Sequence, residues 1–313
     1  RKYREKRLSS QRVESKQNTY SIVKQLLMIS LPICLGSLTM PLYALVDSFS
    51  VANLLASTQF SLDESISLKG IYDRGQPLLQ FASFFSTALA LSIVPAIAQA
   101  QMRNDQAELI RLTKLALRYT VLLGIPASIG LAIVAAPTNM MLFKDHAGSD
   151  ALAILSLGTI FLTLSITIAS ILQGLGRVYL PAVFLFIGIL IKIVGNLLLI
   201  PLWDIRGASL ASVLAYFVHA SISFYSLYRF RLIRRSGRPF FRKYFPVIAG
   251  MVLICYTVMM VLQLICNMID SQRLEMTIVA LGTVLAGVIS YSVSLFRSGL
   301  LTKEDLQMVP KLG

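Results

Sequence analysis

Histidine is almost missing. The 313 residues include two, His146 and His219, and neither falls in a zinc-type spacing. Cysteine is scarce as well: Cys34, Cys255 and Cys266 lie in separate apolar runs, with no metal spacing and no disulfide framework. They read as reduced thiols of the core. There is no GxxxxGK[ST] loop, so this chain carries no ATP engine of that kind. No local Ser–His–acid or Cys–His arrangement offers a nucleophile. The expectation is therefore no enzyme, no metal and no cofactor. His219, inside an apolar run, reads as a helix–helix hydrogen-bond partner ahead of a proton relay.

Charge is the next shortage. Charged residues make up 14% of the chain and hydrophobic ones 56%, where soluble domains carry about 25% charged residues. That excludes an ordinary soluble domain and predicts an all-α polytopic membrane protein. Acids are scarcer than bases, 15 against 29, for a net charge of +14. The bases sit in short connections between apolar runs. That placement speaks for membrane topology and anionic lipid, and against nucleic acid. The chain opens at Arg1 with no methionine and no signal peptide before the first span, so a truncated N-terminus is expected.

Eight apolar spans can be marked, near 20–56, 71–100, 115–143, 151–173, 178–203, 207–229, 244–268 and 275–297. Each is long enough to cross a bilayer, for which about 20 residues suffice. The first is too long for one simple crossing, and Pro32 and Pro41 predict a bend in it. Pro95, Pro126 and Pro137 mark further irregular backbone. With the N-terminus in the cytoplasm, Lys and Arg number 23 on the inner side against five on the outer, with Lys192 inside a span. The positive-inside rule then places both ends in the cytoplasm. The basic stretch from Arg229 to Lys243 separates six spans from a final pair whose interiors carry no charge.

Ionisable residues within spans are costly and mark a pair, a pathway or a site. Asp47 lies in the first span, Asp73 and Arg74 open the second, and Lys192 interrupts the fifth. Lys192 stands roughly 15 Å or more from either end at the helical rise, too deep to snorkel. Asn196 shares its face at i+4. With the fifth span running outward and the sixth returning, Asp47, Lys192, Asn196 and Ser212 fall at similar depth. The expectation is a buried cluster in which Lys192 pairs with Asp47. It reads equally as static glue or as a moving switch. Asp73–Arg74 reads either as an interfacial anchor or as a binding site. The planar fork of an arginine suits two phosphate oxygens, and Gln76 can add a polar contact nearby.

The stretch GIYDRGQPLLQFASFFSTALALSIVPAIAQAQ, residues 70–101, resembles the lipid II flippase family of MurJ/MviN type. The likeness is to its Gram-positive branch, of polysaccharide biosynthesis or stage V sporulation protein B-like members. LLGIPASIGLAIVAAP at 122–137, ILQGLGRVYLPA at 171–182 and GNLLLIPLWDIRGASLAS at 195–212 agree at the level of the wider multidrug/oligosaccharidyl-lipid/polysaccharide exporter superfamily.

The resemblance implies two six-helix lobes around a cavity, with two more helices forming a groove for a lipid tail. The chain would hold the C-terminal eight of fourteen helices. Residues 1–19 would be a basic linker, 20–230 one lobe, 231–243 a basic cytoplasmic loop, 244–297 the extra pair and 298–313 a cytoplasmic tail. The N-terminal lobe would be a missing partner.

By the same resemblance, Asp73 and Arg74 would line the cavity, with Arg74 on the substrate's pyrophosphate. Some members bind sodium between the helices matching spans one, five and six. Asp47 matches an acidic ligand there, and Ser212 a hydroxyl ligand. Lys192 and Asn196 depart from the pattern, standing where it has asparagine and aspartate. A lysine there would repel sodium, so its ammonium is read as replacing the ion.

The expected activity is flipping of an undecaprenyl-pyrophosphate-linked cell-wall precursor, lipid II first, across the bacterial cytoplasmic membrane. The partners are that lipid-linked oligosaccharide and membrane lipids. The alternatives are a polysaccharide-repeat flippase or multidrug exporter of the same fold, a membrane enzyme acting on lipid-linked sugars, and a non-transporting scaffold for wall or spore assembly.

Overall fold

The computed structural model describes residues 19–58, 60–233, 238–266 and 271–300. They form helices throughout: α1 (Thr19–Ser37), α2 (Thr39–Ala56), α3 (Leu62–Asp73), α4 (Gly75–Met102), α5 (Gln106–Ile133), α6 (Ala135–Phe143), α7 (Ser149–Leu157), α8 (Thr159–Gly174), α9 (Tyr179–Arg229), α10 (Arg238–Cys266) and α11 (Gln272–Arg297). Among the described residues there is no strand. The linker and tail expected at the two ends lie almost wholly outside the described residues.

Three of the helix breaks share one cause. Pro41, Pro77 and Pro137 are each the third residue of a helix, α2, α4 and α6. Lacking an N–H, each leaves unpaired the carbonyl four residues back. Those carbonyls belong to Ser37, Asp73 and Ile133, the last residues of α1, α3 and α5. The proline ring is tolerated in a first turn, where no intrahelical partner is needed. The breaks fall on Leu38, Arg74 and Val134. The Leu38 break is where the overlong first span divides. Arg74 keeps helical angles, φ −56° and ψ −26°, so α3 and α4 continue as one rod of 41 residues.

That rod corrects the expected second span. It begins at Leu62, not near residue 71, because Ser61 and Glu64 close a capping box there. The Glu64 carboxylate accepts from the Ser61 N–H at 2.9 Å. Asp73 and Arg74 therefore stand roughly 16 Å along the helix from its start, not at its mouth. The third expected span likewise begins earlier, at Gln106, capped by Asp105.

The fifth and sixth spans are two limbs of α9. Trp203 (φ −137°, ψ 20°) and Asp204 (φ 51°, ψ −134°) leave helical geometry and reverse the chain. Glycines let the limbs meet: a Cβ on Gly195 would lie 2.9 Å from that of Ala211. A Cβ on Gly207 would collide with the Leu199 carbonyl. Six helical stretches among the described residues are long and apolar enough to cross a membrane, α9 with its two limbs counted as one of them.

The helices bury three apolar clusters. One holds Tyr43, Leu55, Tyr72, Leu79, Leu155 and Tyr216, around α2, α3, α7 and both limbs of α9. A second, toward the other end, holds Ile97, Leu112, Ile168, Ile171 and Leu227. The third joins α10 and α11 to α5 through Leu122, Tyr244, Val247, Met251 and Tyr291. Cys255 and Cys266 are buried, but Cys34 is exposed on α1, against the expectation of a core thiol.

The docking of α10 and α11 follows from another proline. Pro126 inside α5 has no N–H for the Leu122 carbonyl. The Tyr291 hydroxyl donates to that carbonyl at 2.5 Å, and the Tyr244 hydroxyl to the neighbouring Val121 carbonyl at 3.1 Å. Tyr291→Phe should therefore lower stability by about 1 kcal/mol. Pro126→Ala, by restoring the N–H, should shrink that cost. Thermal unfolding of both singles and the double in detergent measures it, and an equal cost on either background would contradict the account.

Candidate functional site

Lys192 sits on the first limb of α9 and is fully buried, as is Asp47 on α2, at 0% and 1% side-chain exposure. Their Nζ and Oδ2 atoms are 2.9 Å apart. Burying two charges is unfavourable unless both are paired and hydrogen-bonded, and the surrounding atoms meet that need. Lys192 also donates to the Ser212 hydroxyl on the second limb at 2.6 Å. Asn196, one turn above Lys192, donates to Asp47 Oδ1 at 3.2 Å and to Ser50 at 2.7 Å. The structure thus brings together Asp47, Lys192, Asn196 and Ser212.

It adds a residue the sequence did not point to. The Tyr72 hydroxyl, on the last turn of α3, donates to Asp47 Oδ2 at 3.0 Å and lies 3.0 Å from the Ser212 hydroxyl. Tyr43 and Tyr216 wall the cluster, their ring centroids 5.9 and 6.0 Å from the Lys192 nitrogen. The Tyr43 hydroxyl reaches His219 Nδ1 at 3.3 Å, so His219 is a helix–helix hydrogen-bond partner. Gly188 makes room for Tyr43, since a Cβ there would overlap its hydroxyl. Tyr72 is uncharged, and in an apolar run its ring carries no sign of the carboxylate it meets.

These residues do not suit a sodium ion. The Lys192 ammonium stands within hydrogen-bond distance of both Asp47 and Ser212, the two oxygen-bearing groups that the resemblance matches to sodium ligands. It places positive charge where the ion would sit. Among the described residues no cluster of His, Cys, Asp and Glu has metal-binding geometry.

Asp73 and Arg74 turn to different partners. Asp73 pairs with Lys69 one turn earlier on α3. Arg74 donates through one guanidinium nitrogen to both carboxylate oxygens of Asp145, at 2.8 and 2.9 Å. Its guanidinium carbon lies 4.7 Å from the centroid of the Phe143 ring. Asp145 is in the loop between α6 and α7. The Arg74 hydrogen bond holds its carboxyl below the usual carboxylate range, helped by the Ala147 N–H. The pair is thus complete at neutral pH and is lost as pH falls through the lowered Asp145 pKa. The Gln76 side chain is half-buried and has no hydrogen-bond partner among the described residues. Arg74 and the buried cluster share the α3–α4 rod, for Tyr72 lies two residues before Arg74.

A family model described as lipid II flippase MurJ matches residues 39–274. The chain belongs to the MurJ family. Among curated relatives, it is 33% identical over 295 residues to the uncharacterized membrane protein YabM of Bacillus subtilis, covering 93% of this chain and 54% of that protein. It is 28% identical over 213 residues to the lipid II flippase MurJ of the same organism, covering 66% of this chain and 38% of that one. The chain thus spans about half the length of the first relative and less of the second. Among solved structures, a lipid II flippase MurJ in an inward closed conformation superimposes with a TM-score of 0.57 at 16% identity, covering 90% of this chain and 56% of that one. A MATE protein in complex with MaD5 gives 0.54 at 17%, covering 89% and 67%. This MurJ-family chain therefore has a multi-pass, all-α architecture, and it shares its fold with the MurJ and MATE structures.

Lys192→Met should strand the Asp47 carboxylate and cost about 3–5 kcal/mol of stability. Lys192→Met with Asp47→Asn should recover most of the loss. Thermal unfolding of the purified variants reads both, and equal defects in single and double would count against the pairing.

Proposed function

We propose that this MurJ-family chain helps move an undecaprenyl-pyrophosphate-linked cell-wall precursor, lipid II foremost, across the cytoplasmic membrane by alternating access. Arg74 is the contact for the pyrophosphate. The observation that carries this reading is the Arg74 guanidinium, which rests against Phe143, is partly open, and already binds two oxygens of one anion. A phosphate presents the same pair of oxygens. Family membership and the relative named as a lipid II flippase supply the cargo class.

In this proposal residues 20–230 form one rocking lobe, with both chain ends on the cytoplasmic side. The pair at 244–297 offers the lipid tail an apolar wall, and Leu253, Leu264, Leu281 and Leu285 are exposed on it. The Lys192 ammonium holds α2, α3 and the two limbs of α9 together in place of a bound ion. No covalent chemistry is required. Pyrophosphate is held by charge, and the conformational change carries it across.

Arg74→Ala in the full-length protein should abolish growth of a strain depleted of its own lipid II flippase when that protein is its sole replacement. Immunoblotting establishes that the variant reaches the membrane. Normal growth at wild-type abundance would remove Arg74 from the site.

A further inference from the structure

The carboxylate on Arg74 stands where the proposed substrate's phosphate would stand. We propose that Asp145 is a built-in competitor for that phosphate, occupying the Arg74 guanidinium until a lipid-linked pyrophosphate displaces it. The inference rests on the reading of Arg74 as the pyrophosphate contact and adds a positioning residue to it.

Three features of the contact support an exchangeable clasp over a fixed strut. The partners belong to different elements, Arg74 to the break between α3 and α4, and Asp145 to the loop between α6 and α7. The contact therefore opens by relative displacement of two elements, with no helix unwound. Second, the loop is built to stand without Arg74. Lys144 closes α6 in the left-handed conformation at φ 62°. The Ala147 N–H donates to Asp145 Oδ1 at 3.0 Å. The Asn139 amide donates to the Ala147 carbonyl at 3.1 Å and to the Ser149 hydroxyl at 3.2 Å. From α11, Arg273 Nε donates to the Met141 carbonyl at 3.1 Å. Third, the pair is open to water, with side-chain exposures of 26% for Arg74 and 41% for Asp145. Such pairs are weak, and a pyrophosphate brings more charge and more acceptor oxygens than one carboxylate. Phe143 meanwhile keeps the guanidinium in place whichever anion it holds.

The same geometry gives the competitor a use. A site that held pyrophosphate without rival would release it slowly. A carboxylate poised to recapture the guanidinium lowers affinity and returns the empty site to one defined arrangement.

The test is direct binding of undecaprenyl pyrophosphate to the protein in phosphatidylcholine nanodiscs. Wild type is compared with Asp145→Asn, Arg74→Ala and the double variant. Asp145→Asn should tighten binding by about threefold or more. Arg74→Ala should weaken it by about tenfold or more, and the double variant should bind like Arg74→Ala alone. A structural role for Asp145 would instead weaken binding in Asp145→Asn. Unchanged or weaker binding in that variant, with Arg74→Ala defective, overturns the competitor and leaves the reading of Arg74 standing. The same tightening on the Arg74→Ala background also overturns the competitor. Wild-type binding by Arg74→Ala removes the reading of Arg74 and the competitor with it. Size-exclusion profiles establish folding, and Asp145→Ser serves in place of the amide where the latter lowers the folded yield.

Discussion

A lysine ammonium and an aspartate carboxylate, both sealed from water, set the terms for half of this molecule. Neither charge is tolerable alone in an apolar interior. Their pairing requires α2 and the first limb of α9 to lie side by side. The remaining hydrogen-bonding capacity then draws in Ser212 from the second limb and Tyr72 from α3. The tight reversal at Trp203–Asp204 and the glycines that let the limbs touch put Lys192 and Ser212 at one depth. A buried ion pair is weak evidence for stability in itself. Its evident effect here is geometric, since it fixes which faces of four helical segments meet.

Proline organises what the charge pair does not. At the third position of a helix it interrupts the backbone hydrogen-bond ladder and leaves a carbonyl unpaired four residues back. One such break falls on Arg74, between Asp73 and Pro77. Inside α5, Pro126 creates the carbonyl that Tyr291 covers, so a local defect in one helix becomes the attachment point for another. In hydrocarbon no water stands ready to cover a freed backbone group, and at Leu122 the Tyr291 hydroxyl takes that place.

The membrane class and the long apolar helices were legible in composition and hydropathy, because a bilayer imposes a length and a polarity on each segment. Asp47 and Lys192 were legible because charge within an apolar run is conspicuous, and Asn196 followed from the helical repeat. Tyr72 was not, since a tyrosine in such a run carries no signal until its hydroxyl is seen to meet a carboxylate. The start of the second span was misplaced because α3 is polar. Hydropathy passes over it, and the capping box at Ser61 and Glu64 was the available clue. Asp145 was beyond reach, since its approach to Arg74 depends on how the loop after α6 folds back. Membership of the MurJ family was readable from the Asp-Arg stretch and its neighbours, whereas the cargo depends on a site the family fold alone does not specify.

The proposed role of Lys192 as a resident cation separates this chain from a sodium-binding design on the same helices. The most direct measurement is the outer-surface exposure of lipid II in proteoliposomes containing the full-length protein, with sodium replaced throughout by choline. The account predicts the same rate with and without sodium. A rate that rises with sodium concentration would contradict it.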